Sequence, residues 1–162
     1  MEDIVSQTKA EYQRTRERLA LLLSNTPDEK LNWAPSTTAR TAVQLVAHSA
    51  EAVANIQIML QGDHFEFNGT SDMDNRLRAS EQQYTTREQA SALLDKNSVA
   101  FLAFLDRLTP ETLAGTVKAF FGEVPMSMAV NFPRLHMQDH VAQLEYLQTI
   151  WGDLDWYSPL PS

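Results

Sequence analysis

LHMQDHVAQLEYL, residues 135–147, sets His136 and His140 four positions apart in a half-apolar run with neither glycine nor proline. At about 1.5 Å of rise and 3.6 residues per turn, such positions stack on one face of a helix. Extended outward, Ala129, Phe132, His136, His140, Gln143, Leu147 and Ile150 trace one three-four seam, so both histidines are expected on the buried stripe. The spacing predicts a helix from near Ser127 to Gly152, a residue suited to the positive φ that follows a helix end. Pro133 lies inside that span and predicts either a kink or a later start.

Three more stretches carry helical periodicity. In residues 2–24, Val5, Tyr12 and Leu19 recur every seven, with Thr8, Thr15 and Leu22 between them. TAVQLVAHSAEAVANIQIML, residues 41–60, opens with the capping-box pair Thr41 and Gln44. Its seam is Thr41, Leu45, His48, Ala52, Asn55 and Met59. Thr86 and Gln89 repeat the capping box before a third helix that runs to about Arg107, with Leu93, Ala100, Phe104 and Leu108 as its expected seam. NTPDEKL and LTPETL follow the first and third helices, each offering a capping threonine, a proline for the first helical position and an acid for the helix dipole.

Two helical hairpins with one-turn connectors predict an all-α fold, a four-helix bundle, over a single domain of residues 1–162. About 25 residues separate the second and third helices, a length that is usually functional, partly helical or a crossover. SDMDNRLRAS within it predicts a short helix, and TVKAFFGEVPMS before the last helix predicts a small hairpin. If the link is a crossover, the second and fourth helices are neighbours; otherwise they face each other across the centre.

The chain has 162 residues, a formal net charge of −8, no block of Lys or Arg and no cysteine. No basic stripe is available for phosphates, so no nucleic acid partner is expected. An anionic membrane surface is disfavoured on the same ground. No apolar run reaches the roughly 20 residues needed to span a bilayer. MEDIVSQTKAEYQR has acid where a signal peptide wants positive charge, so a cytoplasmic location is expected. Disulfides, thiolate nucleophiles and cysteine-ligated zinc are excluded outright.

Three of the four histidines, His48, His136 and His140, therefore point at the bundle interior. Buried imidazoles need partners for their ring nitrogens, and one divalent cation satisfies all three. Three histidines with an open position form a recognised catalytic zinc arrangement; three hydrogen-bonded core histidines are the bland alternative. The zincin pattern fails because Met137 stands where its glutamate belongs. A di-iron centre fails because the seams of the first and third helices avoid Glu11, Glu17, Asp95 and Asp106. His64 takes no role. Glu51 could orient or add a ligand, an exposed carboxylate being its default. Tyr12 and Trp33 are candidates for the pocket wall but read first as core aromatics, and Arg40 could meet an anion but reads first as exposed.

RTAVQLVAHSAEAV in the second helix and LHMQDHVAQLEYLQTIWGD in the last resemble the DinB/YfiT-like superfamily of metal-dependent four-helix proteins, the damage-inducible family and not the similarly named polymerase. LSNTPDEKLNWAPS also resembles that family's first connector, so the likeness spans essentially the whole chain. It implies a ligand triad at His48, His136 and His140, one nickel or zinc ion and a homodimer. It further implies a small-molecule substrate, with thiol S-transfer from a low-molecular-weight thiol or hydrolysis as candidate reactions. A non-catalytic, stress-associated metal-binding dimer is the alternative. With no cysteine in the chain, any thiol would have to come from a cosubstrate.

Overall fold

A computed structural model describes residues 3–63 and 66–157; the expectation for His64 falls outside them. The first helix, α1 (Ile4–Asn25), is capped by Asp3, whose carboxylate accepts from the Val5 amide at 3.2 Å. Its seam is as the heptad predicts: Thr8, Tyr12, Leu19 and Leu22 are buried, Val5 and Thr15 partly so. The second and third predicted helices are α2 (Ala42–Leu60) and α4 (Arg87–Leu105), and both form complete capping boxes, Thr41 with Gln44 and Thr86 with Gln89. Between them α3 (Thr70–Glu81) turns the expected short helix into three turns.

The Thr-Pro echo is only half structural. Thr109 caps α5 (Pro110–Ala114), accepting from the Thr112 amide. Thr26 instead donates back to the Leu22 carbonyl, and a single 3-10 turn at Asp28–Lys30 follows Pro27. The expected hairpin is present as β1 (Thr116–Ala119) and β2 (Gly122–Pro125), antiparallel, with Thr116 opposite Pro125 and Ala119 opposite Gly122. After α6 (Met126–Ala129) the chain breaks at Val130 and Asn131, and α7 (Phe132–Ile150) begins with Pro133 in its first turn. Pro133 thus delays the helix, as suits a residue with no amide hydrogen to donate.

Contacts between helices fix their directions. Thr8, Glu11 and Arg18 of α1 meet Asn131, Arg134 and Glu145, so α1 and α7 run parallel. Lys9, Arg16 and the Leu23 carbonyl meet Asp106, Asp95 and Arg87, so α4 runs the other way. Asn32 bonds the Thr85 carbonyl and Leu31 accepts from Val43, which puts the starts of α2 and α4 at the same end. Parallel neighbours cannot be joined by a tight turn, so residues 61–86 are a crossover, with α3 as its return. α2 packs chiefly on α4 and α7, and α1 chiefly on α7. The second and fourth predicted helices are therefore neighbours, and the first pair does not form the simple hairpin that its short connector suggests.

Two seams need correction. In α4 the buried stripe is Ala90, Leu94, Ser98, Phe101, Phe104 and Leu105, whereas Leu93 and Leu108 are only partly buried and Ala100 is exposed. The α4 sequence carries apolar residues on two adjacent faces. Tyr12 selects between them, packing edge-on to Phe101 at 4.9 Å and bonding Ser98 at 2.7 Å. In α7 the buried stripe is Pro133, Met137, His140, Val141, Leu144, Leu147 and Gln148, so His140 lies on it as expected. Gln143 and Ile150 are exposed, and Phe132 and His136 are half-buried. Wedged between α1 and α2, α7 turns that stripe toward both, leaving its histidines at the margin that faces α2.

Candidate metal centre

His48 projects from the second turn of the almost fully buried first half of α2, and His136 and His140 from the first half of α7. Their Nε2 atoms converge: His136 lies 3.1 Å from His48 and 3.0 Å from His140. His48 and His140 are each 6% exposed, so bulk water does little to satisfy them. Among the described residues these three side chains form a group able to hold a metal ion, their ligand atoms all within 4.8 Å of one another.

The outward-facing nitrogens decide the tautomers. His48 Nδ1 is 2.6 Å from Glu81 Oε1, and an ionised carboxylate only accepts, so Nδ1 carries the proton. His140 Nδ1 donates to Gln143 Oε1 at 2.8 Å. Both Nε2 atoms consequently present lone pairs to His136 Nε2. One proton on that nitrogen can serve one neighbour well, not two. A cation accepts all three pairs. Spacings near 3 Å also suit adjacent ligands bonded at about 2.0–2.1 Å to a single ion. The residues fit a metal.

Burial keeps the two α7 imidazoles neutral. Burial lowers the pKa of His136 to about 3, helped by the fields of His140, His48 and Arg40. Burial likewise takes His140 down to about 4, although its bond to Gln143 works against the shift. Glu81 is 1% exposed. Burial alone would raise its carboxyl, but its bonds to His48 and Arg40 more than offset that and hold it below its usual range. Arg40 grips both Glu81 oxygens, at 2.6 and 3.0 Å, and reaches Asp74 at 3.3 Å.

Arg40 is thus neither exposed nor free for an anion. Tyr12 is a core residue with no exposure, its hydroxyl pushed up to about 12 by burial. Trp33 is half-buried against Trp151, ring centroids 6.1 Å apart, outside the histidine cluster. Glu51 is half-buried rather than exposed; it accepts from Ser80 at 2.5 Å, and burial raises its pKa. It is not in the ligand group. Glu11, Asp95 and Asp106 lie in ion pairs with Arg134, Arg16 and Lys9 and are not in the ligand group. A cavity of about 930 Å³ between α1, α7 and the chain after Gly152, lined in part by Arg18, Gln148 and Trp156, contains none of the histidines.

Glu81 is the residue that sequence reasoning missed. Met73, Leu77 and Glu81 recur every four residues, and the first two are half-buried. That periodicity marks an inner face of α3, and an acid at its end is a candidate partner for a buried histidine.

Comparison with known proteins gives a consistent picture. The sequence model of the DinB superfamily matches residues 11–144. No curated protein matches the chain in sequence. Among solved structures, YfiT from Bacillus subtilis, described as a probable metal-dependent hydrolase with an unusual four-helix bundle topology, superposes with a TM-score of 0.73 at 15% identity, over 94% of this chain and 90% of that one. A mycothiol-dependent maleylpyruvate isomerase superposes at 0.65 and 15% identity, over 89% of this chain and 63% of the longer isomerase. The colibactin self-resistance protein ClbS, solved with double-stranded DNA, superposes at 0.68 and 14% identity, covering 90% and 95%. At these identities the likeness is one of fold.

Proposed function

The chain belongs to the DinB superfamily, and from that premise we propose that it is a mononuclear metal-dependent enzyme acting on a small molecule, its 162 residues forming one bundle domain. His48, His136 and His140 hold one nickel or zinc ion. The observation that carries this reading is the convergence of three Nε2 atoms whose outer nitrogens are already committed to Glu81 and Gln143. The ion would supply Lewis acidity, making a nucleophile from water or from a thiol at neutral pH. The protein's own part is to keep His136 and His140 neutral and to hold all three imidazoles aimed at one point. Hydrolysis and S-transfer from a low-molecular-weight thiol are the reactions in scope, and the absence of cysteine assigns any thiol to a cosubstrate.

Duplex DNA is a poor substrate for this surface despite the ClbS likeness. Of 13 Lys and Arg residues, Lys9, Arg16, Arg18, Arg40, Arg76, Arg78, Arg87 and Arg134 are in ion pairs, and the net charge is −8. Tyr146 and Ile150 on α7, with Leu154 and Trp156 in the chain that follows it, are exposed apolar residues available to the homodimer that belongs to this reading.

The test is metal content of untagged protein by mass spectrometry, beside His140→Ala. The expected result is near one nickel or zinc per chain, lost in the variant, with no duplex binding at low salt and a dimer by light scattering. Protein that takes up no metal even on reconstitution overturns the reading, and tight duplex binding overturns the choice of substrate.

A further inference from the structure

We propose that Glu81 is the positioning residue of the metal centre, and that α3 is docked on the bundle to deliver it. The inference rests on the metal reading above and adds a residue from outside the helices that supply the ligands.

Glu81 is the last residue of α3, at the end of the crossover, yet its side chain is only 2% exposed. A carboxylate is rarely buried unless it is paired. Here both oxygens are paired. Oε1 accepts from His48 Nδ1 at 2.6 Å and from an Arg40 terminal nitrogen at 3.0 Å, and Oε2 accepts from Arg40 Nε at 2.6 Å. Arg40 directly precedes the N-cap of α2, and His48 lies two turns on, so one carboxylate spans both ends of that segment. α3 is held to the same loop a second time: Asp74 meets Arg40 and Arg78, and Arg78 donates to the Thr38 carbonyl.

Two consequences follow. Glu81 accepts only, so His48 is fixed with hydrogen on Nδ1 and a lone pair on Nε2, the form that a metal requires. Arg40 pairs with both oxygens of the buried carboxylate, and is itself too enclosed, at 14% exposure, to serve an anionic ligand as well. His140 gets its orientation locally, from Gln143 three residues along its own helix. The two histidines are therefore oriented independently, which supplies an internal control.

The experiment reads the tautomers of His48 and His140 by long-range proton–nitrogen NMR on metal-free protein. It then measures zinc and nickel binding by competition with a chelator, in wild type, Glu81→Gln and Glu81→Leu. Expected are Nδ1–H at His48 in wild type, a mixed tautomer at His48 in Glu81→Leu with His140 unchanged, and metal affinity lower by about 10–100-fold in Glu81→Leu. Glu81→Gln keeps an acceptor but loses the charge, and falls between. A purely structural role for Glu81 would weaken folding without moving the His48 tautomer selectively.

Wild-type His48 protonated on Nε2 overturns the proposal without needing any variant to fold. So does full metal affinity in either folded variant. Wild type that binds no metal fails at the earlier step, and is distinguished because the metal-free tautomer is read separately.

Discussion

Lowering the pH from 7.5 to 5.0 should destabilise the metal-free protein well before its carboxylates titrate. His136 and His140 have folded pKa values of about 3 and 4, against an ordinary value of 6.5. Both are depressed, so between pH 6.5 and 4 the unfolded chain binds protons that the folded chain does not. Their contribution is present above pH 6.5 and is lost as pH falls toward the folded values. At pH 5.0 each histidine lies about 1.5 units below its unfolded pKa, a cost of about 2 kcal/mol apiece and at most about 4 kcal/mol for the pair. Against a total of about 5–15 kcal/mol, that is a large fraction. Urea unfolding of chelator-treated protein at the two pH values, followed by circular dichroism, measures it; His136→Gln should remove about half of the drop. An unchanged midpoint at pH 5.0, or the same drop in His136→Gln, would refute the claim that these imidazoles are buried and neutral. Saturating zinc at 1,000 times its dissociation constant should add about 4 kcal/mol at pH 7.5.

Two further perturbations test the core around the site. Tyr12→Phe strands the Ser98 hydroxyl that it meets at 2.7 Å and should cost about 1–3 kcal/mol in denaturant unfolding, most of it recovered in the double variant with Ser98→Ala. Met137→Ala, at a position with no exposure, should cost about 2–5 kcal/mol, whereas Leu135→Ala, 46% exposed, should stay within about 0.5 kcal/mol. Equal costs at 135 and 137 would mean that the α7 stripe is assigned to the wrong face.

Local signals in the chain were reliable wherever one residue satisfies its neighbour. Both capping boxes form as spaced, because hydroxyl and amide reach only three residues along. The hairpin and the delayed start at Pro133 are equally local consequences of strand-forming side chains and a missing amide hydrogen. His48, His136 and His140 were legible for a related reason. Polar rings on apolar seams must be partnered, and few partners satisfy three of them at once.

What the sequence by itself determined, then, is the helices, their caps and the identity of the three converging rings. Tertiary structure alone decided which of two apolar faces α4 buries, since Leu93 and Leu94 are equally apolar until Tyr12 and α2 choose between them. It also decided that α2 and α7 are neighbours. Connector length limits how far apart two helix ends lie, and says nothing of which helix stands beside which. Glu81 belongs to that second class. A carboxylate 33 residues from His48 becomes its hydrogen-bond partner only because the crossover brings α3 back along the bundle. Burial and the facing Arg40 then make that contact a strong one.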